Sequence, residues 1–135
     1  MSQTLDQLRA KDAMEKVLAL KNEDWASEYS SYVKRLGAAL IMNGLGQALA
    51  SELANGSERD CGGAAGAHNR LAANISTWLG RKDGTYPGKI DPKNLLSAMM
   101  KEDQCNYLVA QADLMKWLEW HKKFCVAFIP KSDKE

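Results

Sequence analysis

Apolar positions along this chain return at helical steps, and no stretch sustains the period of two that a strand requires. Leu5, Leu8, Ala13, Val17 and Leu20 recur every three to five residues. They predict a first helix over about Thr4–Leu20, with Thr4 or Ser2 as its cap. Asn22 and Glu23 mark a turn. A second helical stretch covers about Asp24–Ala54, bent or broken near Gly37 or near Gly44 and Gly46, and Asn55, Gly56 and Ser57 end it. The segment DCGGAAGAH (60–68) reads as a flexible surface loop, followed by a helix over about Ala67–Leu79 that Gly80 stops. RKDGTYPGKIDP (81–92) is dense in turn residues. Asp91 and Pro92 form an N-cap and N1 pair for a short helix over about Lys93–Lys101. A last helix spans about Asp103–Phe128, and PKSDKE (130–135) reads as a disordered tail. The pattern predicts an all-α fold: one compact bundle of about five to six helices, a single domain over 1–129.

Composition narrows the function. With 135 residues, 45% apolar and 26% charged, the chain has material for one core, and wholesale disorder is excluded. Lys and Arg number 18 against 17 Asp and Glu. No overall positive field draws this protein onto nucleic acid, so any such grip comes from a local patch or from neighbouring subunits. Three cysteines at irregular spacing do not make a disulfide framework. Reduced thiols in a cytoplasm fit better. The opening residues lack the apolar core of a signal peptide, and the apolar runs fall far short of the ~20 residues of a membrane span. The expected location is cytoplasmic, away from any membrane.

Catalytic and metal motifs do not emerge. His68, His121, Cys61, Cys105 and Cys125 lack ligand spacing such as C-x-x-C or H-x-x-x-H. His121 and Cys125 share a helical face with Leu114, Leu118 and Phe128, which points to core packing. Nothing marks a cysteine as an activated nucleophile. Gly62, Gly63 and Gly66 lack the Gly-Lys-Ser/Thr ending and preceding strand of a phosphate loop. The reading therefore assigns no catalytic residue, no metal ligand, no cofactor and no small-molecule substrate.

Two places stand out. Asn43-Gly44-Leu45-Gly46-Gln47 interrupts an apolar helical stretch, and each glycine costs about 1 kcal/mol there relative to alanine. Close approach of another backbone, a helix break bonded by the Asn43 and Gln47 amides, or contact with a partner would each account for it. On the last helix, Tyr107, Leu114, Leu118, His121, Cys125 and Phe128 share one face. Lys116, Trp120 and Lys123 lie roughly opposite. An aromatic flanked by cations suits stacking on bases or anchoring a partner. The alternative is a central helix buried on two sides, with Trp120 in the core and the lysines snorkelling. On the first helix, Arg9 and Lys16 lie seven apart with Asp12 between them. They form either a basic edge or, through Asp12–Lys16, an ordinary helix support; Glu119–Lys123 is a second such pair. Lys34, Arg35 and Arg70 would extend a basic track, whereas Arg81 and Lys82 answer a helix dipole.

Tyr32-Val33-Lys34-Arg35-Leu36 followed by Leu40-Ile41-Met42-Asn43-Gly44-Leu45-Gly46-Gln47-Ala48-Leu49-Ala50 resembles the hallmark of one family, the small subunit of the Cmr complex, the type III-B CRISPR RNA-guided effector. Arg9, Ala13 and Val17, then Ser76-Thr77-Trp78-Leu79, then Leu114-Met115-Lys116-Trp117-Leu118 and Phe124, agree in order over about residues 5–129. The loops at 55–66 and 80–92 have no counterpart in that pattern. The resemblance implies an all-helical, non-enzymatic subunit with other Cmr subunits, crRNA and target RNA as partners. It also implies head-to-tail stacking on itself in the filament, beside the backbone subunits that carry the crRNA. Exposure and helical spacing select Lys16, Lys34, Arg70, Lys116 and Lys123 as RNA contacts. Asn43, Gly44, Gly46, Gln47 and Trp120 form the partner or structural motif. A protein-only helical adaptor and a small helical enzyme using Cys or His are the competing readings.

Overall fold

Side-chain caps fix most of the helix starts. The computed structural model describes residues 3–57 and 64–130. Thr4 opens α1 (Leu5–Leu20) with a capping box: its hydroxyl accepts from the Gln7 N–H at 3.1 Å, and the Gln7 side chain accepts from the Thr4 N–H at 2.8 Å. Such a cap contributes about 1 kcal/mol. After α2 (Ala26–Gly56) and α3 (Ala64–Leu79), the Asp91 carboxylate caps α4 (Pro92–Lys101), with proline in the first turn. Asp103 caps α5 (Gln104–Phe128) through the Cys105 N–H at 2.8 Å. Among the described residues the fold is five helices and no strand, the all-α bundle expected from the periodicity.

The helices pack in the order α1, α5, α2, α3, with α4 closing against α2 and α3. Val17 and Leu20 of α1, Leu36, Leu40, Leu45 and Leu49 of α2, Leu71 and Ile75 of α3, and Leu114, Trp117 and Leu118 of α5 are fully buried together. Removing each aliphatic side chain from water contributes about 1.5–3 kcal/mol. As the middle of this order requires, α5 is buried on two sides.

Two expectations need correction. Residues 64–68 are helical, not loop: α3 starts at Ala64, and Ala65, Ala67 and His68 are buried. Gly66 is not a turn glycine, because a Cβ there would lie 2.7 Å from the Trp25 indole nitrogen at the start of α2. Cys61, Gly62 and Gly63 of the expected loop lie outside the described residues, as do Ser2 and, Pro130 excepted, the expected tail.

The second correction concerns α2. Gly37 is helical and the break falls at Gly44, whose φ of 85° and ψ of 167° only glycine adopts readily. A break deprives the next residues of carbonyls one turn back. Asn43 and Gln47, both exposed, do not supply the substitutes. α5 does: the Leu45 N–H donates to Gln111 Oε1 at 2.9 Å and the Gly46 N–H to the Tyr107 hydroxyl oxygen at 2.8 Å. One helix therefore caps the restart of another.

A polar cluster fills the centre. The Tyr29 hydroxyl accepts from the Asn74 amide at 2.8 Å and lies 2.6 Å from His121 Nε2. Burial pulls His121 down to about 3, and Lys16 adds to the effect. It pushes the neighbouring Cys125 thiol up to about 12. His121 and Cys125 are core residues, as their helical face predicted.

Gly44→Ala forces a Cβ into this conformation and to 3.0 Å from the Tyr107 hydroxyl, so urea denaturation should show a loss of about 1–3 kcal/mol. Gly46→Ala meets only ordinary contact, at 3.5 Å, and should stay within about 1 kcal/mol of wild type. Acid gives a second test. Between pH 6.5 and about 3 the unfolded chain protonates at His121 while the folded chain does not. Stability therefore falls as pH drops through that window, with a slope from this group approaching about 1.4 kcal/mol per pH unit. His121→Gln should flatten the decline measured by denaturation at stepped pH; an unchanged slope would clear His121 as its source.

Candidate nucleic-acid interface

The structure disperses the five cations selected from the sequence. Lys16 is not the exposed group that its spacing implied. Its ammonium pairs with Asp12 at 2.8 Å, donates to the Asn74 carbonyl at 3.1 Å and lies 5.7 Å from the Trp117 ring centroid. Burial pulls it below the ordinary lysine range, with Asp12 pulling the other way. Arg9, its partner on the supposed basic edge, is buried against Asp113 at 2.7 Å. Asp113 also receives Arg81 at 3.3 Å, so one carboxylate of α5 ties down α1 and the second residue after α3. Arg81 additionally donates to the Trp78 carbonyl at 2.7 Å, the helix-end role read from its position. Arg70 is half-buried with its guanidinium 5.4 Å from the Trp25 ring centroid. Lys116 is exposed, in a groove where Arg9 and Arg81 face Asp83 and Asp113.

Trp120 works within the α1–α5 seam. Its indole N–H donates to Asp6 at 3.1 Å and its ring stacks on Phe124, with centroids 5.8 Å apart. Phe124 stacks in turn on Phe128 at 5.8 Å, a ladder at four-residue steps along α5. Asn43 and Gln47 point to solvent, whereas Gly44 and Gly46 lie against Tyr107.

Lys34 and Lys123 do come together. With Glu119, Lys122 and Val126 they line a shallow groove of about 430 Å3 between α2 and α5. Lys122 escaped the sequence reading; Gly37 was its only signal. A Cβ on Gly37 would stand 2.8 Å from Lys122 Nζ, so the glycine lets that ammonium lie across α2. Glu119 approaches Lys122 at 4.0 Å, the edge of an ion pair, rather than serving Lys123 as its spacing suggested. Three cations against one carboxylate leave an excess of positive charge over an apolar floor. Past Lys34 and Val126 the surface continues into a small cleft bordered by the hydroxyl-bearing Ser27, Ser30 and Ser31. Ammonium groups followed by hydroxyls form the donor set that a phosphate chain accepts. Among the described residues no three His, Cys, Asp or Glu side chains gather as a metal site, and no helix is long and apolar enough to cross a membrane.

The family model for CRISPR-associated protein (Cas_Cmr5) matches residues 5–128, a span that takes in all five helices. The chain is also similar to a crystal structure of a CRISPR-associated Cmr5 family protein from Thermus thermophilus. The two are 25% identical and superimpose with a TM-score of 0.74 over 96% of this chain and 100% of that one. No curated protein matches the chain.

Proposed function

The chain belongs to the Cmr5 family of CRISPR-associated proteins, and we propose that it is the non-catalytic small subunit of a type III-B Cmr effector, stacking in the filament and helping hold target RNA paired to crRNA. The observation that carries this reading is the convergence of Lys34, Lys122 and Lys123 on the α2–α5 groove. In a chain whose charges nearly cancel, this groove gathers three cations against one carboxylate. Contacts to phosphates position a strand without reading its sequence, as a subunit serving any guide requires. Three contacts alone bind weakly: releasing the counterions of three phosphates on a single strand gives a salt slope of only about −2. Affinity builds when stacked copies extend the track. Lys116, exposed on the same helix seven residues before Lys123, sits where the track would lengthen, whereas Lys16 is committed to the interior.

A protein-only adaptor is the second reading, favoured by Ile41 and Met42, 74% and 80% exposed beside the break in α2. Charge reversal separates the two. Lys34→Glu with Lys122→Glu and Lys123→Glu, placed in the assembled complex, should weaken target-RNA capture at moderate salt by at least about tenfold while every subunit still co-purifies. Unchanged capture would overturn the RNA contact, and loss of assembly would favour the adaptor.

A further inference from the structure

Lys34 and Arg35 are consecutive, about 100° apart around α2. Lys34 opens toward α5, while Arg35 opens on the other side, toward α3. There a cleft of about 280 Å3 lies between both halves of α2 and the start of α3, lined by Tyr32, Arg35, Leu36, Glu52, Asn55 and His68. The His68 ring stacks on Tyr32, with centroids 3.9 Å apart and planes 11° from parallel. His68 Nδ1 bonds the Glu52 carboxylate across the α2–α3 seam, which fixes the imidazole and with it the stack. The Arg35 guanidinium lies 4.8 Å from the Tyr32 centroid, and since the imidazole occludes one ring face, the guanidinium takes the other. Arg35 and Asn55 are exposed at the mouth, while Glu52 and His68 are buried behind. Burial raises the Glu52 carboxyl above the ordinary range, with His68 pulling it back.

Packing alone does not call for this set. A buried carboxylate–imidazole pair costs desolvation that an apolar pair avoids, and titratable groups behind a cleft are a signature of binding sites. The components match a nucleotide. An aromatic stack presents a flat face to a base, an amide and a carboxylate meet its polar edge, and a guanidinium pairs with a phosphate. The volume lies just below the roughly 300–1,000 Å3 of small-molecule pockets, a scale that suits one base.

We infer that this cleft binds a single nucleotide: its base on the Tyr32–His68 stack, its edge at Asn55 and Glu52, and its phosphate on Arg35, which swings off the ring. The nucleotide is either an unstacked residue of an RNA strand or a free mononucleotide. The inference extends the RNA reading to the other side of α2, yet it stands apart from the lysine groove, because a mononucleotide spans only the cleft.

NMR titration of the full chain with AMP, GMP, CMP and UMP, and separately with inorganic phosphate, decides it. At least one nucleotide should move the Tyr32, Asn55 and His68 resonances saturably, and phosphate should not reproduce the pattern. Tyr32→Leu should weaken the binding roughly tenfold, the scale of one base stacked on one ring. Arg35→Gln and Asn55→Ala, both on the surface, should each weaken it without disturbing the fold. Lys122→Glu should leave it unchanged, so failure of the lysine groove and failure of the cleft read out separately. The inference is overturned if no nucleotide saturates these resonances, if phosphate alone gives the same shifts, or if all three cleft variants bind as wild type. A short single-stranded RNA then identifies the source: the mononucleotide shifts reproduced by the strand mean a strand-borne base, and shifts from mononucleotides alone mean a free one.

Discussion

The capping of the α2 break by α5 is the constraint on which the rest of the structure depends. At Gly44 the helix loses its own hydrogen-bond ladder, and Tyr107 and Gln111 replace the missing acceptors for Gly46 and Leu45. Those bonds lock the axial register of α2 against α5. Register in turn decides that Lys34 faces Val126 and that Lys122 lies across Gly37. The break also sets the angle between the two halves of α2. Tyr32 and Arg35 come from the first half and Glu52 and Asn55 from the second, so the α2–α3 cleft takes its shape from the same glycine.

Much of this was legible in the sequence where the cause was local. Thr4, Asp91-Pro92 and Asp103 announce their helix starts because a cap acts within four residues. The Gly44 break was among the predicted sites because two glycines in an apolar helix need a reason. What the periodicity leaves open is which face meets which neighbour. Arg9 and Lys16 share a face, but their burial depends on Asp113, 104 positions from Arg9, and on an Asn74 carbonyl 58 from Lys16. Gly66 misled for a related reason: glycine composition signals a turn, yet here it makes room for Trp25. Family membership was readable through the Asn-Gly-Leu-Gly-Gln block, whereas the lysine groove became visible only once α2 and α5 were placed side by side.

The near-neutral total charge conceals how unevenly the charges are placed. Acidic side chains neutralise the buried cations: Asp113 answers Arg9 and Arg81, and Asp12 answers Lys16. These three cations are neutralised where they sit, whereas Lys34, Lys122 and Lys123 share a groove with one carboxylate, Glu119. A count over the whole sequence averages these two populations and conceals both.

The pairing of α1 with α5 also bears on how the chain is made. α1 packs on α5, and the Arg9–Asp113 bridge closes only after more than a hundred residues beyond Arg9 have emerged from the ribosome. Until then the apolar stripe of α1, with Ala13, Val17 and Leu20, lacks its main partner and is open to misassociation. Synthesis therefore carries an exposed interval that ends when α5 emerges and docks.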